Sequence, residues 1–225
     1  MNCFRCGNWP CDCKDGQTII HGDCREVLPE LGKFDLLLTD PPYGMNLNTD
    51  NSRFSGGTRG NIAKRGNGIG TGMGKPIVGD DIPFDPQFML DSATSHVIWG
   101  WNHFSDKLPQ GGCLVWIKRF DAAFGTFLSD AEIAWKSNCR GVFCHRDLTN
   151  NAISRERQHP TQKPLTLFRW CLGLYPKAST ILDPFMGSGT TLRAAKDLGR
   201  KCTGIELEER YCEIAANRLR QEVLF

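Results

Sequence analysis

The sequence predicts an α/β fold built on a mostly parallel sheet. Three observations carry that prediction. Compact apolar runs recur along the chain, and two of them, Phe34–Thr39 and Thr180–Asp183, are bounded by turn residues as doubly buried strands are. Helix-like segments alternate with these runs, which implies parallel strands joined by right-handed crossovers. The same two runs also lead into tight turns beginning with an acid, Asp40-Pro41-Pro42-Tyr43 and Asp183-Pro184-Phe185-Met186-Gly187.

In chain order, residues 1–16 are rich in Cys and Gly and poor in aliphatics, and read as a small appendage. Residues 17–225 form the main domain, opening with a short β-prone run over Thr18–His21 that ends at Gly22-Asp23. A helix-like stretch follows through Val27, Leu28 and Leu31, then the strand at Phe34–Thr39. Residues 46–80 are glycine-rich, and from Asn51 to Gly79 they hold five cations and no acid. Such a stretch buries little apolar area and is expected to be a mobile loop. Strands are predicted at His96–Trp99, Cys113–Ile117 and Val142–Cys144. After Thr180–Asp183 come a helix over Thr190–Leu198 stopped by Gly199, a strand at Cys202–Glu206 and a final helix near Glu208–Arg220.

A length of 225 residues suffices for one full α/β domain and is too short for two large ones. A composition of 40% hydrophobic and 23% charged residues is ordinary for a globular chain. No apolar stretch approaches bilayer length, and Met1–Cys6 has no signal-peptide core, so a cytoplasmic location without membrane contact is expected. A net charge of +2 neither demands nor excludes nucleic acid. Eleven cysteines, an odd number without a secretion signal, argue against a disulfide framework.

Three constellations carry chemistry. In Asp183-Pro184-Phe185-Met186-Gly187-Ser188-Gly189-Thr190 a strand ends in an acid and a glycine turn enters a helix. Such a turn lets a ligand approach the backbone, and the helix start offers free N–H groups. Glu206, ending the next strand, is placed to accept hydrogen bonds from ribose hydroxyls. A nucleoside-containing cofactor fits this pattern better than a bare phosphate, because no Walker lysine follows the glycines. In Asp40-Pro41-Pro42-Tyr43 two prolines stiffen the turn, so the Asp40 carboxylate and a backbone carbonyl become fixed acceptors suited to an –NH2 group. Tyr43 offers a flat face for a base. The third segment, His159-Pro160-Thr161-Gln162-Lys163-Pro164, is on its own merely a loop before a helix.

Together, and in this order, the three motifs resemble the amino-methyltransferases of DNA, in the circularly permuted class whose catalytic motif precedes its cofactor motif. The segments His96–Asn102 and Trp116–Arg119 are similar to small methylases of phages and mobile elements. The resemblance implies a Rossmann-like sheet of the S-adenosylmethionine-dependent methyltransferase type and a place in DNA methylation, as in restriction-modification. It implies that Asp183, Phe185, Gly187, Ser188, Gly189 and Thr190 hold S-adenosylmethionine, with Glu206 on the ribose, Asp23 near the adenine, and Thr161 and Lys163 along the methionine end. Asp40, Pro41, Pro42 and Tyr43 would hold the target base, with Asp40 also beside the cofactor. The chain departs from larger members in having little room for a separate target-recognition domain. The basic loop, with Arg53, Arg59, Lys64 and Arg65, and a minimal target-recognition segment at 137–158, with Arg146 and Arg155, are the candidates for DNA contact. A homodimer is a further way to hold DNA.

Adenine N6 is the expected target, because a serine in place of Asp40 would have favoured cytosine N4. Cytosine N4, a structured RNA, a protein amide and a non-catalytic nucleic-acid-binding module are the competing readings. Chemistry at cytosine C5 would need a nucleophilic cysteine, and the one Pro-Cys pair, Pro10-Cys11, lies outside the methylase body. Finally, Cys3, Cys6, Cys11 and Cys13 have the ligand count of a structural zinc site, although their spacing is tighter than in common fingers. A reduced, metal-free tail is the alternative.

Overall fold

A computed structural model describes residues 1–45, 79–125, 129–148 and 163–221. Among the described residues, eight strands form one sheet: β1 (Gln17–His21), β2 (Phe34–Thr39), β3 (Ala93–Trp99), β4 (Gly112–Ile117), β5 (Ala131–Lys136), β6 (Val142–Arg146), β7 (Thr180–Asp183) and β8 (Lys201–Glu206). The order across the sheet is β1-β8-β7-β2-β3-β5-β4-β6. Only β5 runs against its neighbours β3 and β4; the other pairings are parallel. The helices are α1 (Cys24–Val27), α2 (Leu165–Gly173), α3 (Thr190–Asp197) and α4 (Glu209–Arg220).

The strands form where apolar residues can be buried on both faces. In β2, Leu36 and Leu38 pack into one core with α2, α3 and α4, through Leu167, Leu192 and Ala215. Leu37, pointing the other way, joins Ile20, Met89, Ile98 and Leu182 in a second core. The helix expected to run through Leu31 stops at Val27. Pro29 cannot donate to a continuing helix, and the chain tightens into a 3-10 turn over Leu28–Glu30. Strand β5 was not foreseen. It inserts between β3 and β4, and its antiparallel direction brings its first residues to the edge where the parallel strands end.

The connection after β7 leads to β8 on one side, and that after β2 leads to β3 on the other. The order therefore reverses between β7 and β2. In open α/β sheets the crevice at the carboxyl ends of such a reversal is where ligands bind. Of the expected loop at 46–80, residues 46–78 lie outside the described residues, as do 149–158 of the segment at 137–158.

Candidate active site

The crevice is lined by both predicted motifs, joined by one hydrogen bond. Thr39, the last residue of β2, donates its Oγ1 hydrogen to Asp183 Oδ1 on β7 at 2.7 Å. Asp183 also accepts from Thr191 Oγ1 on α3 and from Phe185 N at 3.2 Å. Burial pushes the Asp183 carboxyl up to about 6, against the pull of its hydroxyl and N–H donors. Its carboxylate is thus engaged in holding the turn that follows it.

The glycine turn is shaped by its packing. Gly189 has φ +77°, and a Cβ there would sit 2.7 Å from the Ala215 Cβ of α4. Arg218 on α4 donates to the Ser188 carbonyl at 2.7 Å, to Ser188 Oγ at 3.1 Å and to Thr190 Oγ1 at 3.3 Å. The side chains of Ser188 and Thr190, expected at the cofactor, are turned towards α4. Glu206 accepts from Gly187 N at 3.0 Å and Glu208 N at 2.8 Å. Burial raises its pKa while those N–H groups pull it down. Asp23 ends the turn after the adjacent strand β1, caps α1 by accepting from Arg25 N at 2.8 Å, and is half-buried. Half-buried Phe185 meets Phe84 at 5.6 Å and Phe88 at 6.5 Å between ring centroids, and the Arg25 guanidinium lies 4.4 Å over Phe88. The sequence reading missed Phe84 and Phe88, which have no motif to mark them.

Around Asp40 the charges balance. Tyr43 OH donates to Asp40 Oδ1 at 2.5 Å, and Lys163 Nζ reaches Asp40 Oδ2 at 2.5 Å and Tyr43 OH at 3.1 Å. Lys163 also pairs with Glu132 Oε2 at 3.1 Å, and Lys118 pairs with Glu132 Oε1 at 2.7 Å. Burial lifts the Asp40 carboxyl above its ordinary range, with Lys163 opposing. Burial works against the Lys163 charge too, but Asp40 and Glu132 hold its pKa well above the usual value. Lys163, expected along the cofactor, is therefore grouped with the DPPY motif. Glu132, the second residue of β5, had no sequence signal, and Lys118 was marked only as part of the Trp116–Arg119 resemblance, because their pairing depends on the antiparallel insertion.

The turn itself is fixed from below. Buried Asp80 accepts the backbone N–H groups of Tyr43 at 3.1 Å, Gly44 at 2.9 Å and Met45 at 3.3 Å. The Tyr43 ring stacks on His103 with centroids 4.8 Å apart and planes 12° from parallel. Gly100, at φ +79°, approaches so closely that a Cβ would lie 2.0 Å from the Tyr43 ring. The ring expected to receive a base is thus already held by protein on one face.

Arg146 ends β6 at the same edge of the sheet, exposed, pairing with Asp121 at 2.7 Å. Thr161, Arg53, Arg59, Lys64, Arg65 and Arg155 lie outside the described residues. No described helix is long and apolar enough to cross a membrane.

Known proteins resemble the chain in part of its sequence and in its fold. Residues 114–217 match the DNA methylase family of the N6/N4 type. The type II methyltransferase M2.DpnII of Streptococcus pneumoniae is 50% identical over 76 residues, 33% of this chain and 28% of that protein. M.HindIII of Haemophilus influenzae is 40% identical over 144 residues, 57% of this chain and 46% of that protein. These matches thus span less than half the length of either relative. Among solved structures, the M1.HpyAVI–SAM complex aligns with a TM-score of 0.58 at 21% identity, covering 90% of this chain and 99% of that one. The PvuII cytosine-N4-specific DNA methyltransferase aligns with a TM-score of 0.58 at 13% identity, covering 93% and 88%. Residues 114–217 are thus similar to the DNA methylase family, and the mostly parallel sheet has the fold seen in the M1.HpyAVI and PvuII structures.

Proposed function

We propose that the chain is an S-adenosylmethionine-dependent methyltransferase acting on the exocyclic N6 amine of adenine in DNA, on a base flipped out of the helix. The observation that supports this most is the meeting of Asp40-Pro41-Pro42-Tyr43 and the Asp183 turn across the Thr39–Asp183 hydrogen bond, at the strand-order reversal. The order of the motifs in the chain, 40–43 before 183–190, is the order of a circularly permuted class.

The residues present suit the cofactor. Asp23, two residues beyond β1, and Glu206, at the end of the adjacent β8, are half-buried carboxylates steadied by backbone N–H groups, and are fitted to accept from adenine and ribose. Phe185, with Phe84 and Phe88 behind it, gives an apolar wall, and the backbone at Gly187 lines the turn. S-adenosylmethionine would supply an electrophilic methyl group.

The task left to the protein is orientation of a weak nucleophile. An aryl amine shares its lone pair with the ring, and acceptors for both of its N–H groups localise that pair. The Asp40 carboxylate and the Pro41 carbonyl are those acceptors. A carboxylate offers about four lone-pair directions, so Tyr43 and Lys163 leave room on Asp40 for an incoming N–H. As the C–N bond is made and the methyl leaves the sulfonium sulfur of the bound cofactor, Asp40, lifted by burial, would take the one proton that the amine releases. The cations Arg53, Arg59, Lys64, Arg65, Arg146 and Arg155 are proposed to contact phosphates or base edges.

The test is incubation of unmethylated DNA with methyl-labelled S-adenosylmethionine, followed by nucleoside analysis. Label in N6-methyladenine is expected, whereas label in N4-methylcytosine would refute the choice of base. Asp40→Ala should cut the rate by on the order of 100-fold or more, the scale of a lost positioning group. Its cofactor affinity should stay near wild type, because the proposed task of Asp40 is to orient the target amine. An Asp40→Ala enzyme of normal rate would remove the proposed role.

A further inference from the structure

The four N-terminal cysteines are not used by this chemistry. Their Sγ atoms all lie within 4.8 Å of one another, and all four are free thiols. Cys6 Sγ and Cys11 Sγ are 3.8 Å apart. A disulfide would need about 2.05 Å. Four sulfurs bound at about 2.3 Å to one tetrahedral ion stand about 3.8 Å from each other. The turn between the cysteine pairs is built accordingly. Gly7, at φ +78°, donates its N–H to Cys3 O at 2.8 Å, and Cys13 N–H points to Cys11 Sγ at 3.5 Å.

The position of the cluster sets its role. Cys11 and Cys13 line a cavity of about 290 Å³ together with Gly16, Thr18, Phe34, Thr180 and Lys201. Those partners lie at or just before the starts of β1, β2, β7 and β8, so the cluster sits at the amino edge of the sheet. The crevice is at the carboxyl edge, about 16 Å away along a five-residue strand. A metal there takes no part in methyl transfer.

What the segment does touch is β1, the outermost strand on that side. Phe4 N–H donates to Ile19 O at 2.7 Å, and Arg5 Nη1 donates to Gln17 O at 2.8 Å. These carbonyls are two residues apart, on one side of the strand, and face away from β8. An uncovered strand edge invites pairing with other chains, and here the cysteine segment covers it. Arg5 is held by Asp15 at 2.7 Å and 2.8 Å, within electrostatic reach of Cys3 and Cys13.

We propose that Cys3, Cys6, Cys11 and Cys13 bind one structural zinc ion, and that the metal-loaded knuckle clamps the free edge of β1. Binding replaces four S–H protons by four Zn–S bonds and releases the protons to solvent.

Full-length protein prepared without chelator or oxidant should contain one zinc per chain by elemental analysis. Cobalt exchanged into the wild-type protein should give the visible absorption of a tetrahedral thiolate site. The Cys11→Ser/Cys13→Ser double variant should lose the metal, whereas Cys144→Ser, on the opposite outer strand, should keep it. Zinc removal should speed amide exchange at Phe4 by about tenfold or more while exchange in β7 stays slow. Absence of zinc, iron in its place, zinc retained by the double variant, or unchanged exchange at Phe4 would each overturn the proposal. The wild-type measurements decide the matter even if the double variant does not fold.

Discussion

Glu132 joins Lys118 to Lys163, and Lys163 joins it to Asp40, so one half-buried carboxylate steadies a lysine shared with the DPPY motif. Burial opposes its charge, but Lys163 and Lys118 outweigh burial and hold its pKa at about 2, below an ordinary 4.5. A carboxyl depressed on folding stabilises the native state above the unfolded pKa, and this stability is lost as the folded form takes up its proton. The contribution is therefore full above about pH 4.5 and disappears towards pH 2. Glu132→Gln should unfold more easily by about 1–3 kcal/mol at pH 7, and its stability should fall less steeply than wild type between pH 4.5 and 2. Parallel acid slopes in urea titrations would refute this account. Asp183 carries the opposite sign. Its pKa is raised to about 6 from 3.8, so its contribution to stability declines as pH rises through that interval and levels off above it.

Single residues are placed by the elements that carry them, and α3 starts in close contact with α4. Gly189 brings two constraints together: a positive φ, which an L side chain resists, and an Ala215 Cβ that would lie 2.7 Å from any added methyl. Gly189→Ala should destabilise the fold by about 2–4 kcal/mol, combining backbone strain with overpacking. Thermal unfolding measures this, and a wild-type midpoint would mean that α4 yields freely. The elements also show what the sequence could convey. Strands β2, β7 and β8 were legible because buried apolar runs end in acids and turns. The second residue of β5 alternates a charge into an otherwise ordinary Ala-Glu-Ile-Ala-Trp-Lys run, so neither periodicity nor flanking turns marked the strand. The pairings Lys163–Asp40 and Glu132–Lys163 join residues far apart in sequence, and no local pattern encodes them. The same holds for Asp80, which fixes the Tyr43 turn from across residues 46–78.

At the scale of the whole molecule, one sheet separates two groups of side chains. Its carboxyl edge gathers Asp23, Asp40, Lys163, Asp183 and Glu206, while its amino edge carries the cysteine segment. The sequence suggested residues 1–16 as an appendage. They prove to be docked, through Phe4 on the outer carbonyl of Ile19 and Cys3 buried at 1% exposure. The hydrogen bond from Thr39 to Asp183 has a thermodynamic meaning on this scale. It makes the turn that would orient the amine and the turn that would cradle the cofactor one mechanical unit, so whatever settles one turn has already met part of the ordering cost of the other. Two ligands sharing such an element bind cooperatively, and linkage makes the effect reciprocal: DNA should tighten the cofactor by the same factor as the cofactor tightens DNA. That factor should be on the order of 5-fold or more. Thr39→Val keeps the shape but removes the shared hydrogen, so it should bring the ratio of cofactor dissociation constants with and without DNA towards one; a ratio unchanged from wild type would mean that the two halves of the crevice act independently.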